Sequence, residues 1–156
     1  MLETRIAIED DAPLIAAHRR AMFDSMGGTP PSALNEMTRN FRPWVVRMIA
    51  EGKYAGWITE DGGRPVASAG LLILDWPPHP LDPGGEHRGY LLNVFVEPEY
   101  RKRGLAHLLV ERCLGEARSR GIRVVALHSS DAGRGVYKSL GFHATSEMLY
   151  SEPADH

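Results

Sequence analysis

Apolar and polar residues follow one another with two different periods, and the changes of period predict where helices and strands alternate. The segment Thr4–Ile8 is strand-like. A helix is predicted after it, to about Met26, because apolar residues recur there at helical spacing and a Gly-Gly pair follows. The same spacing predicts a second helix over Ser32–Glu51, with Pro43 as a kink or a break.

The middle of the chain predicts a hairpin followed by a long loop. Tyr54–Thr59 and Val66–Asp75 have the composition of strands, and Asp61-Gly62-Gly63 between them is a turn sequence. Residues Trp76–Gly85 contain four prolines and two glycines, which excludes regular structure there. An irregular connection of this length is more often functional or mobile than idle.

The second half alternates strands and helices. Its predicted elements are a strand Leu91–Val96, a helix Arg103–Arg120, a strand Val124–Leu127, a short helix Arg134–Leu140 and a final strand Phe142–Tyr150. The whole order is therefore βααβββαβαβ.

Composition indicates one globular domain over residues 1–156, since 43% of the residues are hydrophobic and 24% are charged. The net charge of −2 gives no general attraction to nucleic acid or to an anionic membrane, so any anion site must be local. Cys113 is the single cysteine, which excludes an intrachain disulfide and a multi-cysteine zinc site. With no basic and apolar leader and no long apolar run, we expect a cytoplasmic location.

The segment Leu91–Cys113 carries the clearest chemical signal. An apolar strand ends before Pro98, and a turn leads directly into an amphipathic helix whose first amides are unpaired. Gly104 permits close approach of a ligand to the backbone, and Ala106 leaves room beside it. Three cations, Arg101, Lys102 and Arg103, flank these amides, so the turn is suited to a diphosphate. The alternative is a surface connection whose basic residues are only solvated.

This turn resembles the acyl-CoA signature of the GNAT superfamily of N-acyltransferases, with Arg101, Gly104 and Ala106 in its three defining places. The later segment Val136–Phe142 resembles the superfamily's short helix with a tyrosine and a Gly-Phe turn. The resemblance implies an α+β fold with a mixed, mostly antiparallel central sheet flanked by helices. It also implies acetyl-CoA as co-substrate, a primary amine as acceptor, direct attack in a ternary complex and a possible homodimer, and it requires no metal.

The resemblance further implies that two strands, Leu91–Val96 and Val124–Leu127, splay apart to admit the pantetheine arm between them. Backbone groups of one strand would face the pantetheine, the turn amides would hold the diphosphate, and Ser130 would approach from the other side. The implied cofactor-binding residues are Phe95, Val96, Arg101, Lys102, Arg103, Gly104, Leu105, Ala106, Ser130 and Tyr137.

Two catalytic residues are implied, Tyr137 and Asn93. The phenol of Tyr137 would protonate the departing thiolate, or else Tyr137 is only a buried aromatic. Many relatives have a glutamate base on the strand Leu91–Val96, where this chain offers only Asn93, which cannot take a proton but can position a water. His128 is either the base or a structural strand-end histidine.

Candidates for the acceptor side are weaker and fall in two regions, the junction of the first two helices and the long loop. They are Asp24, Met26, Glu36, Trp76, His79, Glu86 and His87, each of which faces an acceptor or is only solvated. Cys113 lies on the apolar face of its helix and is predicted to be a core residue. A non-catalytic module that binds acyl-CoA remains the alternative function, favoured by the missing carboxylate. Nucleic-acid binding through the basic turn is disfavoured by the overall acidity.

Overall fold

The computed structural model describes residues 1–153 and contains one sheet with helices on both faces. Two short 3₁₀ turns, Glu9–Asp11 and Pro98–Tyr100, precede helices. The elements in chain order are β1 (Leu2–Ile6), α1 (Ala12–Met26), α2 (Pro31–Ala50), β2 (Tyr54–Asp61), β3 (Arg64–Asp75), β4 (His87–Val96), α3 (Leu105–Ser119), β5 (Val125–Leu127) and α4 (Arg134–Ser139).

The five strands lie in the order β1-β2-β3-β4-β5. The first four are antiparallel to their neighbours, and β5 is parallel to β4 because α3 connects them as a crossover. Gly62 and Gly63, with φ of 57° and 88°, form the tight turn of the β2–β3 hairpin. The predicted α+β fold with a mixed, mostly antiparallel sheet is confirmed.

Two apolar clusters hold the helices against the sheet. One lies under α3, where Leu109 and Cys113 have no exposed surface, and the other lies under α1 and α2 around Val45 and Ile58. Burial raises the pKa of the Cys113 thiol to about 12, so this group stays protonated at neutral pH. The prediction that Cys113 is a core residue is confirmed.

Helix α2 runs through Pro43, so of the two expected effects of this proline, a kink or a break, the break does not occur. The proline ring is exposed, so the carbonyl of Arg39 that lacks a helical partner also faces water rather than the core. The predicted strand Leu91–Val96 is longer than expected and begins at His87.

The expected final strand Phe142–Tyr150 is wrong for this chain, because residues 142–153 have no regular secondary structure. The outer edge of β5 accordingly has no strand beside it among residues 1–153. The segment stays at the surface, and Met148 is 93% exposed. Glu147 of this segment lies 3.8 Å from Arg88 of β4, and this is the only ion pair that Arg88 forms within residues 1–153. In the same range, no helix has the length and hydropathy of a membrane span.

Candidate active site

A gap between β4 and β5 opens halfway along the sheet. The two parallel strands pair only where Gly89–Leu91 faces Val125–Leu127. Beyond that pairing, residues 92–96 of β4 have no partner strand on this side within the described part of the chain. Those of their backbone N–H and C=O groups that point away from β3 are available to an extended ligand, apart from the Val96 carbonyl, which accepts from Arg101. The gap lies between the two strands for which the family resemblance implies a pantetheine arm.

A bulge in β4 directs Asn93 towards α1. Asn93 has a φ of 57° and lies opposite a register shift in β3, so its side chain points to the same face as that of Leu92. Its Nδ2 donates to Oη of Tyr54 at 3.2 Å, and its Oδ1 accepts from Nη1 of Arg19 at 2.8 Å. Asn93 is 2% exposed, so these two contacts fix the orientation of its amide.

The turn between β4 and α3 presents a row of free amides. Lys102 and Gly104 have φ of 63° and 79°, and these two left-handed residues point successive N–H groups outward. None of the amides of residues 102–107 donates a hydrogen bond to an acceptor within residues 1–153. The surface of residues 101–104 is exposed. Such a concavity at the start of a helix binds anions.

The cations around this turn are held by their own contacts. Nε of Arg101 donates to the carbonyl oxygen of Val96 at 3.1 Å, which ties the turn to the end of β4. The Arg103 guanidinium lies 4.8 Å from the ring centre of Tyr100. Leu105 anchors the first helical turn in the core at 7% exposure. The free amides and the positive charges therefore lie together on one turn.

Tyr137 lies on the α3 side of the gap. It is half-buried, packs edge-on against Phe142 with ring centres 5.9 Å apart, and makes no side-chain hydrogen bond within residues 1–153. Burial raises the pKa of its phenol, which therefore keeps its proton at neutral pH. Oγ of Ser130 accepts from the Gly133 amide at 3.2 Å, and so Ser130 also caps the turn before α4.

A second tyrosine, which the sequence did not single out, lies on the α1 side of β4. Oη of Tyr90 is hydrogen-bonded to Nδ1 of His128, which follows β5. Burial raises the pKa of Tyr90, so at neutral pH it is a phenol. Tyr90 could have been found from the two-residue alternation of β4, which places it on the face of Arg88 and Leu92.

His18 lies beneath the bulge and was also missed. It is 4% exposed, its ring centre is 4.8 Å from that of Phe95, and its Nδ1 lies 2.6 Å from Oγ of Ser68. Burial lowers its pKa to about 4, so it is neutral at physiological pH. Its place at helical spacing from Ile15 was the available signal.

The candidates in the long loop lie at the other end of β4. Trp76, Glu86 and His87 line a cavity of about 470 Å³, and along the strand His87 lies roughly 20 Å from Asn93. His79 accepts the Leu81 amide at 3.1 Å and stabilises a local turn. These contacts give the loop residues structural roles and do not bring them to the gap.

The candidates at the junction of α1 and α2 are exposed and do not meet Asn93. Asp24, Met26 and Glu36 face solvent. The residue that does reach Asn93 from α1 is Arg19, whose guanidinium carbon lies 5.0 and 5.1 Å from the ring centres of Phe23 and Phe41. No local sequence pattern indicates this contact, because a helical arginine is usually solvated.

An open strand edge that leads to an anion-binding turn defines a site for an extended ligand with a phosphate end, as in acyl-CoA-binding proteins. The Acetyltransferase (GNAT) family matches residues 18–142, and the chain belongs to this family. GNAT acetyltransferases use acetyl-CoA as co-substrate. The predicted family, enzyme class and co-substrate are thus confirmed at the level of the family.

Solved structures and curated relatives agree with this assignment. A GCN5-related N-acetyltransferase from Ralstonia eutropha JMP134 has a TM-score of 0.91 and 39% identity, with 99% of each chain covered. A predicted acetyltransferase with acetyl-CoA from Clostridium acetobutylicum has a TM-score of 0.89 and 28% identity, covering 97% of this chain and 96% of that one. Glucosamine 6-phosphate N-acetyltransferase of Trypanosoma brucei brucei is 37% identical over 87 residues, 56% of each chain. The chain spans only 40% to 56% of the first curated relatives it matches.

Proposed function

We propose that this chain, acting as one domain over residues 1–156, transfers the acetyl group of acetyl-CoA to a primary amine by direct attack in a ternary complex. The observation that carries the proposal is the open edge of β4 at residues 92–96, which leads to the free amides of residues 102–107. An extended thiol ester with a diphosphate at its far end matches both parts of this site.

Within this proposal, backbone groups of Phe95 and Val96 hold the pantetheine arm and Ser130 borders it from the other side. The amides from Lys102 to Ala106 bind the diphosphate, and the side chains of Arg101, Lys102 and Arg103 add positive charge. Support comes from the left-handed backbone at Lys102, with a φ of 63°, which is uncommon for a residue other than glycine.

In the reaction the amine nitrogen forms a bond to the thioester carbon, the carbon–sulfur bond breaks, and the sulfur takes a proton. Tyr137 is the proposed donor of that proton, because its half-buried phenol has no competing hydrogen bond within residues 1–153. The ammonium group must first lose one proton to become the attacking amine, and the nitrogen must lose a second proton as the amide forms. The second proton, passed on through water, restores the Tyr137 phenol, so the whole reaction releases one proton. Asn93 cannot accept a proton, and its two fixed contacts fit a positioning role.

The proton route on the acceptor side runs, in this proposal, through water to His128. The imidazole of His128 is exposed, and Tyr90 holds its Nδ1 on the α1 side of β4. An imidazole oriented in this way by a phenol has its second nitrogen free to accept a proton from water and pass it to solvent.

We also propose a cytoplasmic location and a homodimer that does not bind nucleic acid. The one cysteine is reduced and buried, which fits a reducing compartment. The exposed apolar segment at Met148, Leu149 and Tyr150 supports self-association. The net charge of −2 disfavours nucleic acid.

Calorimetric titration with acetyl-CoA tests the proposal. Arg103→Glu reverses a charge beside the amides, and Gly104→Val places a β-branched side chain at a φ of 79° that it cannot adopt without strain. Both variants should weaken binding at least tenfold, about 1.4 kcal/mol. The matched controls are Arg123→Glu, on an exposed residue beyond α3, and Gly52→Val, at a φ of 72° after α2; both should bind as the wild type does.

Release of free CoA thiol in the presence of primary amines then tests the transfer. No binding by the wild type would reject the cofactor site and with it the acetyltransferase. Tight binding without transfer to any amine would instead support the alternative, a non-catalytic acyl-CoA-binding regulatory module.

A further inference from the structure

Arg19 is a partly buried cation with no anionic partner among residues 1–153. It extends from α1 towards the sheet, where its Nη1 donates to Oδ1 of Asn93 at 2.8 Å. Its Nε is buried and makes no hydrogen bond, and none of the ion pairs formed by residues 1–153 includes it. The rings of Phe23 and Phe41 lie 5.0 and 5.1 Å from its guanidinium carbon. The guanidinium is therefore packed on apolar surface, with a single protein acceptor.

This arrangement is costly in the free protein. A guanidinium remains charged at any physiological pH, and burial of an unpaired charge is unfavourable. Burial lowers the pKa of Arg19, and only the phenols of Tyr54 and Tyr90 oppose this effect, with no carboxylate among the contributors. A solely structural arginine at this place would be expected to have an aspartate or glutamate beside it. The missing counter-charge is the feature that a bound anion would supply.

The position of Arg19 would place a bound anion near the gap between β4 and β5, where the amine would react. Asn93 occupies the bulge of β4 next to the open strand edge, so the guanidinium lies on the α1 side of the point where the gap begins. Tyr90 and its partner His128 belong to the same side. An acceptor amine that reaches the gap from the α1 side would therefore pass close to the Arg19 guanidinium.

We propose that Arg19 binds a carboxylate of the acceptor, so that the acceptor class is amines with a carboxylate near the amino group, as in a free amino acid. This inference rests on the proposed acetyl transfer. A guanidinium edge matches the two oxygens of a carboxylate, and the rings of Phe23 and Phe41 at 5.0 and 5.1 Å hold the guanidinium in place. An amine without an anionic group would meet only positive charge at this place.

The first test compares each proteinogenic amino acid with its C-terminal amide as acceptor of the wild-type protein. The two compounds have nearly the same size, and the amide lacks the negative charge. Because the amide also has a lower amino-group pKa, the rates are compared per neutral amine. The acid should have a kcat/KM about ten- to a hundredfold above that of the amide, the range for loss of a charge-assisted contact. Equal values for acid and amide would overturn the proposal. The proposal would also be overturned if glucosamine 6-phosphate were acetylated faster than every amino acid and Arg19→Gln removed this advantage, because Arg19 would then bind a phosphate.

Variants assign the discrimination to this side chain. Arg19→Gln should raise the KM for the acid and bring the ratio of acid to amide close to one, while the affinity for acetyl-CoA stays unchanged. Arg19→Lys should restore part of the ratio because it keeps the charge without the planar fork. The control Arg20→Gln makes the same change one residue along α1, in an outer groove, and should keep the wild-type ratio. If Arg19→Gln lowered kcat/KM equally for acid and amide, Arg19 would have only a structural role and the proposal would be overturned.

A binding measurement separates this proposal from the proposed function. The thermal midpoint of the CoA-saturated protein is measured with the same acids and amides, which requires no turnover. A rise with acids only, abolished in Arg19→Gln, supports the carboxylate site even if no acetyl transfer occurs. No difference between acids and amides would overturn the site even if transfer to some other amine is found.

Discussion

At the scale of single residues, the neutral histidine beneath the bulge couples stability to pH. Burial lowers the pKa of His18 in the folded protein to about 4, against an ordinary value of 6.5. Above the ordinary value both states are neutral, and below it the unfolded chain takes up a proton that the folded chain does not. Between about pH 6.5 and pH 4 the free energy of unfolding should therefore fall, by roughly 2 to 3 kcal/mol from this residue.

Urea unfolding of the wild type and of His18→Gln across this range checks the prediction. Glutamine has a polar group of similar size that does not titrate, so the difference between the two proteins isolates the imidazole. The wild type should lose more stability than the variant as the pH falls. Parallel curves would show that His18 titrates in the folded protein as it does in the unfolded chain.

The site residues that could be predicted from sequence are those whose role is local. Gly104 and the three cations belong to one turn, so a short motif contains them. Asn93 was also found, since it lies on the strand before that turn. Its partners were not, because Arg19 is 74 residues and Tyr54 is 39 residues distant in sequence, and only the folded sheet brings them together. Pairing over such separations leaves no periodic pattern in the chain.

At the scale of elements, glycine has opposite effects in β3 and in α3. A Cβ on Gly70 of β3 would lie 2.1 Å from Oη of the buried Tyr54, whereas a Cβ on Gly115 of α3 would have Nη2 of Arg118 at 3.9 Å as its nearest neighbour. Gly70→Ala should destabilise the fold by about 1 to 3 kcal/mol, because the phenol must move off the strand and lose the Asn93 amide. Gly115→Ala should stabilise it by about 0.5 to 1 kcal/mol, because alanine favours the helix.

The two substitutions are chemically identical, so each serves as the control of the other in urea unfolding. The titration with acetyl-CoA adds a second reading, in which Gly115→Ala should bind as the wild type does. If Gly70→Ala proved as stable as the wild type, Tyr54 would not lie over β3 and its contact with Asn93 would have to be abandoned.

Helices and hairpins were predictable because each is defined by its own sequence. The helix α2 follows the spacing of its apolar residues, and the β2–β3 turn follows from Gly62 and Gly63. Where neighbours decide the outcome, the sequence is a weaker guide. Pro43 does not break α2, since its exposed side needs no hydrogen bond. The expected strand Phe142–Tyr150 is wrong, and this segment has no partner strand within residues 1–153.

At the scale of the whole molecule, two features predict a homodimer. The segment Phe142–Tyr150 has the sequence of a strand but forms none, and the outer edge of β5 is unpaired within residues 1–153. The outer edge of β5 faces no strand within residues 1–153, and exposed edges of this kind pair with added strands. The segment after α4 exposes three adjacent large apolar side chains, with Met148 93%, Leu149 82% and Tyr150 80% exposed. We expect this segment of one copy to add to the β5 edge of a second copy, which would bury those side chains and satisfy both backbones.

Light scattering during size-exclusion chromatography measures the result directly. The wild type should have a mass near twice 17.3 kDa, and Leu149→Glu should shift it towards 17.3 kDa, because a carboxylate cannot be buried between two copies without a partner. Leu81→Glu is the matched control, since Leu81 is 62% exposed in the loop before β4, away from the β5 edge. A wild type that stays at the mass of one chain at high concentration would reject the dimer. An equal effect of both substitutions would assign the association to general surface hydrophobicity rather than to strand addition.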